Sequence, residues 1–334
     1  MTPAGHPAIA PPRIGVLLVN LGTPDAPDAA SVKRYLAEFL SDRRVVELPR
    51  LAWQPILRGV VLRTRPRKSA HAYQQVWTAD GSPLAAVTRA QAAALADAFG
   101  EGVTVDWAMR YGRPAIADRI AALKDAGCER ILLAPLYPQY CAATTATAND
   151  RAFAALAGMR WQPAVRTLPP YHDDPAYIAA VAAAIRTSLG SLDFAPQAIV
   201  ASFHGMPQRT LELGDPYHCH CQKTGRLLAQ AVGGEWLVAF QSRFGRAKWL
   251  EPATDATLAA LPGRGITRVA IVAPGFSADC LETLEELAMR GRETFLAAGG
   301  TDFAYLPCLN ASPEGVAMLR HLLARELAGW VDAA

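Results

Sequence analysis

Four short apolar runs punctuate the chain at 14–21, 131–136, 198–203 and 269–273, each closed by glycine, proline or both. Continuous runs of this length bounded by chain breakers predict buried parallel strands. Longer stretches with helical spacing separate them, at 31–39, 87–99, 116–126, 174–189, 224–232 and 281–298. Strands alternating with helices predict an α/β fold with parallel sheets.

The runs also form a worn repeat. Shifted by 139 positions, Ala134, Pro135, Cys141 and Thr144 fall on Ala273, Pro274, Cys280 and Thr283. Shifted by 183, Gly22 and Pro24 fall on Gly205 and Pro207. A chain of 334 residues is long for one core. The expectation is two similar Rossmann-like α/β domains, 13–168 and 169–334, each a parallel sheet flanked by helices, with the active-site cleft between them. Residues 1–12, rich in alanine and proline, are expected to form a flexible arm. The proline-bearing stretch 162–174 is the expected linker, and a last helix over 313–330 could pack on either half.

Composition narrows the class. Hydrophobic residues make up 51% and charged residues 19%, as in a soluble enzyme rather than a disordered chain. A net charge of +3 gives no reason to expect nucleic-acid binding. The six cysteines are scattered, which reads as a cytoplasmic protein with reduced thiols. No apolar stretch reaches the roughly 18–20 residues that span a membrane.

Open α/β sheets bind ligands at the carboxyl ends of their strands. His204 follows the 198–203 run in SFHGMP, where Gly205 and Pro207 force a turn. An imidazole there is either a hydrogen-bonded structural residue or a proton acceptor, and imidazoles ordinarily titrate near pH 6.5. After the 269–273 run, Asp279, Glu282 and Glu286 follow i, i+3, i+7, the spacing of one helix face. A capping box, with Asp279 as N-cap and Glu282 at N3, accounts for two of them without chemistry.

Other candidates are weaker. His218, Cys219, His220 and Cys221 are adjacent donors, whereas zinc ligands come in spaced pairs, and an extended chain would send them to opposite faces. An iron–sulfur cluster is disfavoured on the same ground. Residues 51–68 set Leu51, Trp53, Ile56 and Leu57 beside Arg58, Arg63, Arg65, Arg67 and Lys68. That pattern fits a lip over an apolar acidic ligand, an anionic membrane surface, or an ordinary amphipathic helix. Nucleotide-binding glycine motifs and the G-x-S-x-G hydrolase motif are absent.

Taken in order, VNLGTPDAP (19–27), FLSDRRVVELP (39–49), GSPL (81–84), MRYG (109–112), APLYPQYCAATT (134–145), SFHGMPQR (202–209), GDPY (214–217), FQSRFGRAKWLEP (240–252) and PGFSADCLETLEEL (274–287) closely resemble ferrochelatase across nearly the whole chain. The resemblance implies insertion of Fe(II) into protoporphyrin IX to form protohaem. It implies His204 as acceptor of pyrrole protons or metal ligand and Glu282 opposite it, with Glu286 and Asp279 continuing an acidic path for protons or iron. It implies Tyr73, Ser82, Arg110 and Tyr111 on one wall of the porphyrin pocket, and Gln241, Ser242 and Trp249 on another. Residues 51–67, including Leu51, Trp53, Ile56 and Leu57, become the lip, a candidate for peripheral membrane contact. Cys280 stands where many relatives have histidine. The C-terminal segment HLLARELAGWVDAA carries no cysteine, so the [2Fe–2S] cluster of animal members is not expected, nor any cofactor beyond the substrate iron. Monomer and homodimer are both compatible. Coproporphyrin III or a sirohydrochlorin-type ring as substrate, a non-catalytic porphyrin or haem carrier, and a thiol–imidazole metal sensor at 218–221 are the competing functions.

Overall fold

The computed structural model describes residues 13–245 and 247–331; the expected arm at 1–12 lies outside the described residues. The first half runs β1 (Arg13–Gly22), α1 (Ala29–Phe39), α2 (Arg50–Ile56), α3 (Leu62–Val76), α4 (Pro83–Phe99), β2 (Val103–Tyr111), α5 (Ile116–Asp125), β3 (Cys128–Pro135), α6 (Thr147–Ala157) and β4 (Ala164–Thr167). The second runs α7 (Pro175–Gly190), β5 (Ala198–His204), α8 (Gln208–Glu212), α9 (Tyr217–Val232), β6 (Trp236–Gln241), α10 (Thr254–Ala260), β7 (Arg268–Val272), α11 (Arg292–Ala297), β8 (Asp302–Tyr305) and α12 (Pro313–Leu327). Wider π-type turns, hydrogen-bonded i→i+5, occupy Leu57–Val61, Ala142–Ala146 and Glu282–Gly291.

Among the described residues the strands form two parallel four-stranded sheets, β2-β1-β3-β4 and β6-β5-β7-β8. The two orders are the same, so the repeat is real. The offset of 183 joins β1 to β5 and that of 139 joins β3 to β7. Its glycines have a shared steric cause. A Cβ at Gly22, where φ is +124°, would stand 1.9 Å from the Tyr111 carbonyl oxygen on β2. One at Gly205 would stand 2.5 Å from the Gln241 carbonyl oxygen on β6. Each glycine lets its strand end close against the neighbouring strand.

The central strands are sealed because helices cover both faces. Val16, Leu17, Leu18 and Val19 are fully buried, as are Val200, Ala201 and Phe203. The last helix packs back on the first half. Leu319, Leu322, Leu323 and Leu327 of α12 join Val16 and Leu18 of β1 and Ala92 and Leu95 of α4 in one core. The 162–174 stretch is only partly a linker, because β4 pairs with β3 inside it. Prolines at 163, 169 and 170 flank that strand without interrupting it.

Candidate active site

His204 closes β5 and is half-buried, in register with Gln241 at the end of β6. Its Nδ1 lies 2.7 Å from the Gly205 carbonyl oxygen. A carbonyl can only accept, so Nδ1 carries the hydrogen and Nε2 of the neutral ring keeps the lone pair. The backbone is pinned as well, since the Tyr217 hydroxyl donates to the His204 carbonyl at 3.0 Å. Trp249 packs beside the turn, where its ring would lie 3.3 Å from a Cβ on Gly205. Its indole N–H donates to the Phe244 carbonyl at 3.0 Å, and the two rings meet at a tilt of 56° with centroids 4.9 Å apart.

Gln241 ties the histidine strand to the acidic helix. Its amide donates to the Glu282 backbone carbonyl at 2.9 Å, and its own oxygen accepts from Ser202 at 2.7 Å. Glu282 is thus held by its backbone, and its carboxylate is not consumed in fixing the helix. That carboxylate acts on groups from the first half. The buried Tyr73 hydroxyl is pushed well up by burial and then by Glu282. Burial does the same to Tyr35, with Tyr73 and Glu282 adding to it. Both phenols therefore stay neutral and can donate.

Glu286 follows one turn later. Its carboxylate accepts from the Ser242 N–H at 2.8 Å and the Ser242 hydroxyl at 2.6 Å. Ser242 holds φ at +64°, a conformation side chains rarely adopt, and this two-point clamp offsets its cost. Arg290 lies 3.8 Å from Glu286 and 2.9 Å from Glu285. A cavity of about 550 Å³ opens here, lined by Gln241, Ser242, Trp249, Glu286 and Arg290.

Three expectations are corrected. Asp279 neither caps the helix nor joins the row of carboxylates. The helix begins at Glu282 after Leu281, and Asp279 turns inward to Asn310, Tyr305 and Thr283. Tyr111 is fully buried, and its hydroxyl donates to Asp42 at 2.9 Å, so it supports a wall rather than lining it. Arg110 lies against the same Asp42 and against the Thr147 hydroxyl at 2.7 Å. Burial alone would raise the Asp42 carboxyl, but donors from Thr147, Arg44 and Tyr111 with the Arg110 charge hold it below the usual range. Leu57, assigned to the lip, is fully buried with Leu40 and Leu62 and anchors the segment.

Elsewhere the lip is open. Leu51 is 94% exposed and Ile56 and Val60 are about half so, while Trp53 is half-buried, with its N–H on the Leu40 carbonyl at 2.6 Å. Arg65 of α3 reaches over the Phe244 ring at 5.0 Å, joining lip and second wall. Ser82 is buried at the start of α4, near the cluster that Leu84 and Met109 form with Ala278 and Cys280. Burial and then Glu282 push the Cys280 thiol well up, which suppresses the thiolate a metal would need.

The 218–221 donors are helical, not extended. Cys219 is exposed, Cys221 is buried, and the His220 ring stacks on His172 at 3.6 Å. Among the described residues no three histidine, cysteine or acidic side chains converge to hold a metal. None of their helices is long and apolar enough to cross a membrane. Tyr35 and Asp42 were missed by sequence reasoning. Tyr35 had a signal, since Val32, Tyr35 and Phe39 share one apolar face of α1.

Comparison with known proteins bears on the fold and the family. Two solved structures align over 95% of the chain at 14% identity: SirB from Bacillus subtilis with Fe3+ (TM-score 0.58, 97% of that chain) and CbiX, the terminal enzyme of sirohaem biosynthesis in denitrifying bacteria (0.51, 100%). At that identity they speak for the fold alone. The ferrochelatases of Rhizobium meliloti and Agrobacterium fabrum are 58% and 54% identical, each over 98% of both chains. With the ferrochelatase sequence model also matching residues 13–327, the chain belongs to the ferrochelatase family, the iron-inserting lyases of haem synthesis.

Proposed function

We propose that the porphyrin is protoporphyrin IX, and that Fe(II) insertion is driven by His204 and Glu282 acting from the two sides of Gln241. The observation that carries this reading is their common anchor: Gln241 is the register partner of one and the hydrogen-bond donor to the other. Each Fe(II) displaces two pyrrole protons, so charge balance demands a base. Nε2 of His204 is the acceptor, because Nδ1–H is committed to the Gly205 carbonyl. The Glu282 carboxylate attracts the dication or passes on the second proton, with the neutral Tyr35 and Tyr73 hydroxyls beside it.

A flat free-base ring does not admit iron at its centre. Binding energy along rigid walls can bend it and expose nitrogen lone pairs. Trp249, packed at a tilt against Phe244, and Gln241 with Ser242 supply one wall; Tyr73 and Ser82 supply the other. Arg110, locked to Asp42, stiffens that wall from behind rather than pairing a propionate. Glu286 acts by holding Ser242. Iron is substrate here, and no resident cofactor is needed. The exposed Leu51, Ile56 and Val60, ringed by Arg58, Arg63, Arg67 and Lys68, support contact with an anionic membrane surface.

The test is an anaerobic assay of the protein with Fe(II) and protoporphyrin IX, followed by absorbance, with coproporphyrin III in parallel. Faster metallation of protoporphyrin IX is expected. Tight porphyrin binding without metallation would overturn the catalytic reading, and preference for coproporphyrin III would overturn the substrate. Sedimentation with anionic vesicles, lost in Leu51→Asp, checks the membrane contact.

A further inference from the structure

We propose that Gln91 is a positioning residue for Glu282, acting across the seam between the two halves through Asn310, Asp279 and Thr283, a role that rests on the reaction proposed above. Gln91 lies on α4 of the first half and is 1% exposed. Its amide donates to two carbonyls of the second half, Ser277 at 3.1 Å and Asn310 at 2.9 Å. Asn310 is held at φ +53°, the left-handed region that asparagine tolerates better than most residues. In that conformation its N–H donates to the Ser277 carbonyl at 3.2 Å. Its side chain meanwhile grips Asp279 twice, accepting from the Asp279 N–H at 2.8 Å and donating to the carboxylate at 2.7 Å.

The same carboxylate accepts from the Thr283 hydroxyl at 3.1 Å, and that hydroxyl accepts from the Cys280 N–H at 2.9 Å. Thr283 adjoins Glu282 and is fully buried. A continuous chain of hydrogen bonds thus runs from the first half to the turn that launches the Glu282 helix. The residue types suit it. Only a carboxamide offers two N–H donors to two carbonyls without bringing a charge into the seam. Glutamate would face both carbonyls with acceptors, and leucine would take the Gln91 donor from the Asn310 carbonyl and leave the Ser277 carbonyl with the Asn310 N–H alone. The acidity of Asp279 is spent inside this chain, which explains a buried carboxylate that is turned away from the carboxylate row.

The test measures kcat and porphyrin KM separately for Gln91→Leu, Asn310→Ala, Thr283→Val and Gln91→Leu/Asn310→Ala, each checked for a cooperative melt. Gln91→Leu should lower kcat about tenfold, a usual cost for loosening a supporting shell, with KM nearly unchanged. Thr283→Val, which cuts the chain at its far end, should do the same even if Gln91→Leu does not fold. The double variant should be no slower than the slower single one. Unchanged kcat, a loss confined to KM, or losses that multiply would each overturn the role of Gln91. An unmodified protein that inserts no Fe(II) would overturn the reaction itself along with it.

Discussion

The carboxyl ends of β1 and β2 can be compared directly with those of β5 and β6. Both pairs close on a glycine that meets the neighbouring strand's carbonyl, Gly22 on Tyr111 and Gly205 on Gln241. They differ in what their polar groups are free to do. In the first half Arg110, Tyr111 and Thr147 are tied to Asp42, and the charges cancel within a nearly buried knot. In the second half His204 and Glu282 are held by backbone groups and by one nitrogen of the ring, which leaves Nε2 and a carboxylate to act. One copy of the repeat ties up its polar side chains, and the other leaves a ring nitrogen and a carboxylate available, as the proposed proton transfer requires. Fixing a group through its backbone preserves its side-chain chemistry, whereas fixing it through its charge uses that chemistry up.

The contrast can be broken most severely at His204. His204→Ala should lose at least about a hundredfold in kcat while keeping its melt and its porphyrin binding; near-normal turnover would reverse the assignment. Asp42→Ala should do the opposite. It strands the Arg110 guanidinium, only 13% exposed, and should cost about 3–5 kcal/mol in urea unfolding while folded molecules keep most of their kcat. Equal stability would show that the knot is ornamental.

Glu286→Gln should fall between these, with kcat lowered about tenfold as Ser242 loses its second acceptor oxygen, and with stability little changed. A kcat equal to the parent's would remove Glu286 from the machinery. The mildest effect concerns acid. Burial and then the stacked His220 ring press the His172 imidazole down from 6.5 to about 4. Between those values the unfolded chain binds a proton that the folded chain refuses. Stability is therefore full above pH 6.5 and declines as pH falls towards 4. Thermal midpoints across that range should show the slope, and His220→Gln, which keeps an acceptor for the Tyr140 N–H, should flatten it. An unaltered slope would place the acid sensitivity elsewhere.

The central strands were legible in the sequence because both of their faces are sealed, so they read as unbroken apolar runs. The edge strands β2, β4, β6 and β8 were not. β4 and β8 have four residues each and are half-exposed throughout, and β6 is fully buried only over its last three residues. Their signal is mixed with that of loops. His204 could be singled out because strand ends and breakers mark the ligand side of a sheet, whereas the role proposed for Glu282 came from the resemblance to ferrochelatase. Asp279 was misplaced because i, i+3, i+7 assumes a helix already begun, whereas this one starts three residues later and winds wide. The cysteines and histidines at 218–221 were set aside as metal ligands on the premise of an extended chain, whereas they occupy the first turn of α9. Nothing local in the sequence could expose the Gln91 contact, whose partners lie 186 and 219 positions away.

The return of α12 to the first sheet has a consequence for biosynthesis. A ribosome delivers β1 through β4 long before it delivers Leu319, Leu322 and Leu323, so the first sheet keeps an apolar flank uncovered until α12 has emerged. A nascent chain halted before Pro313 should therefore remain protease-sensitive in the half that emerged first.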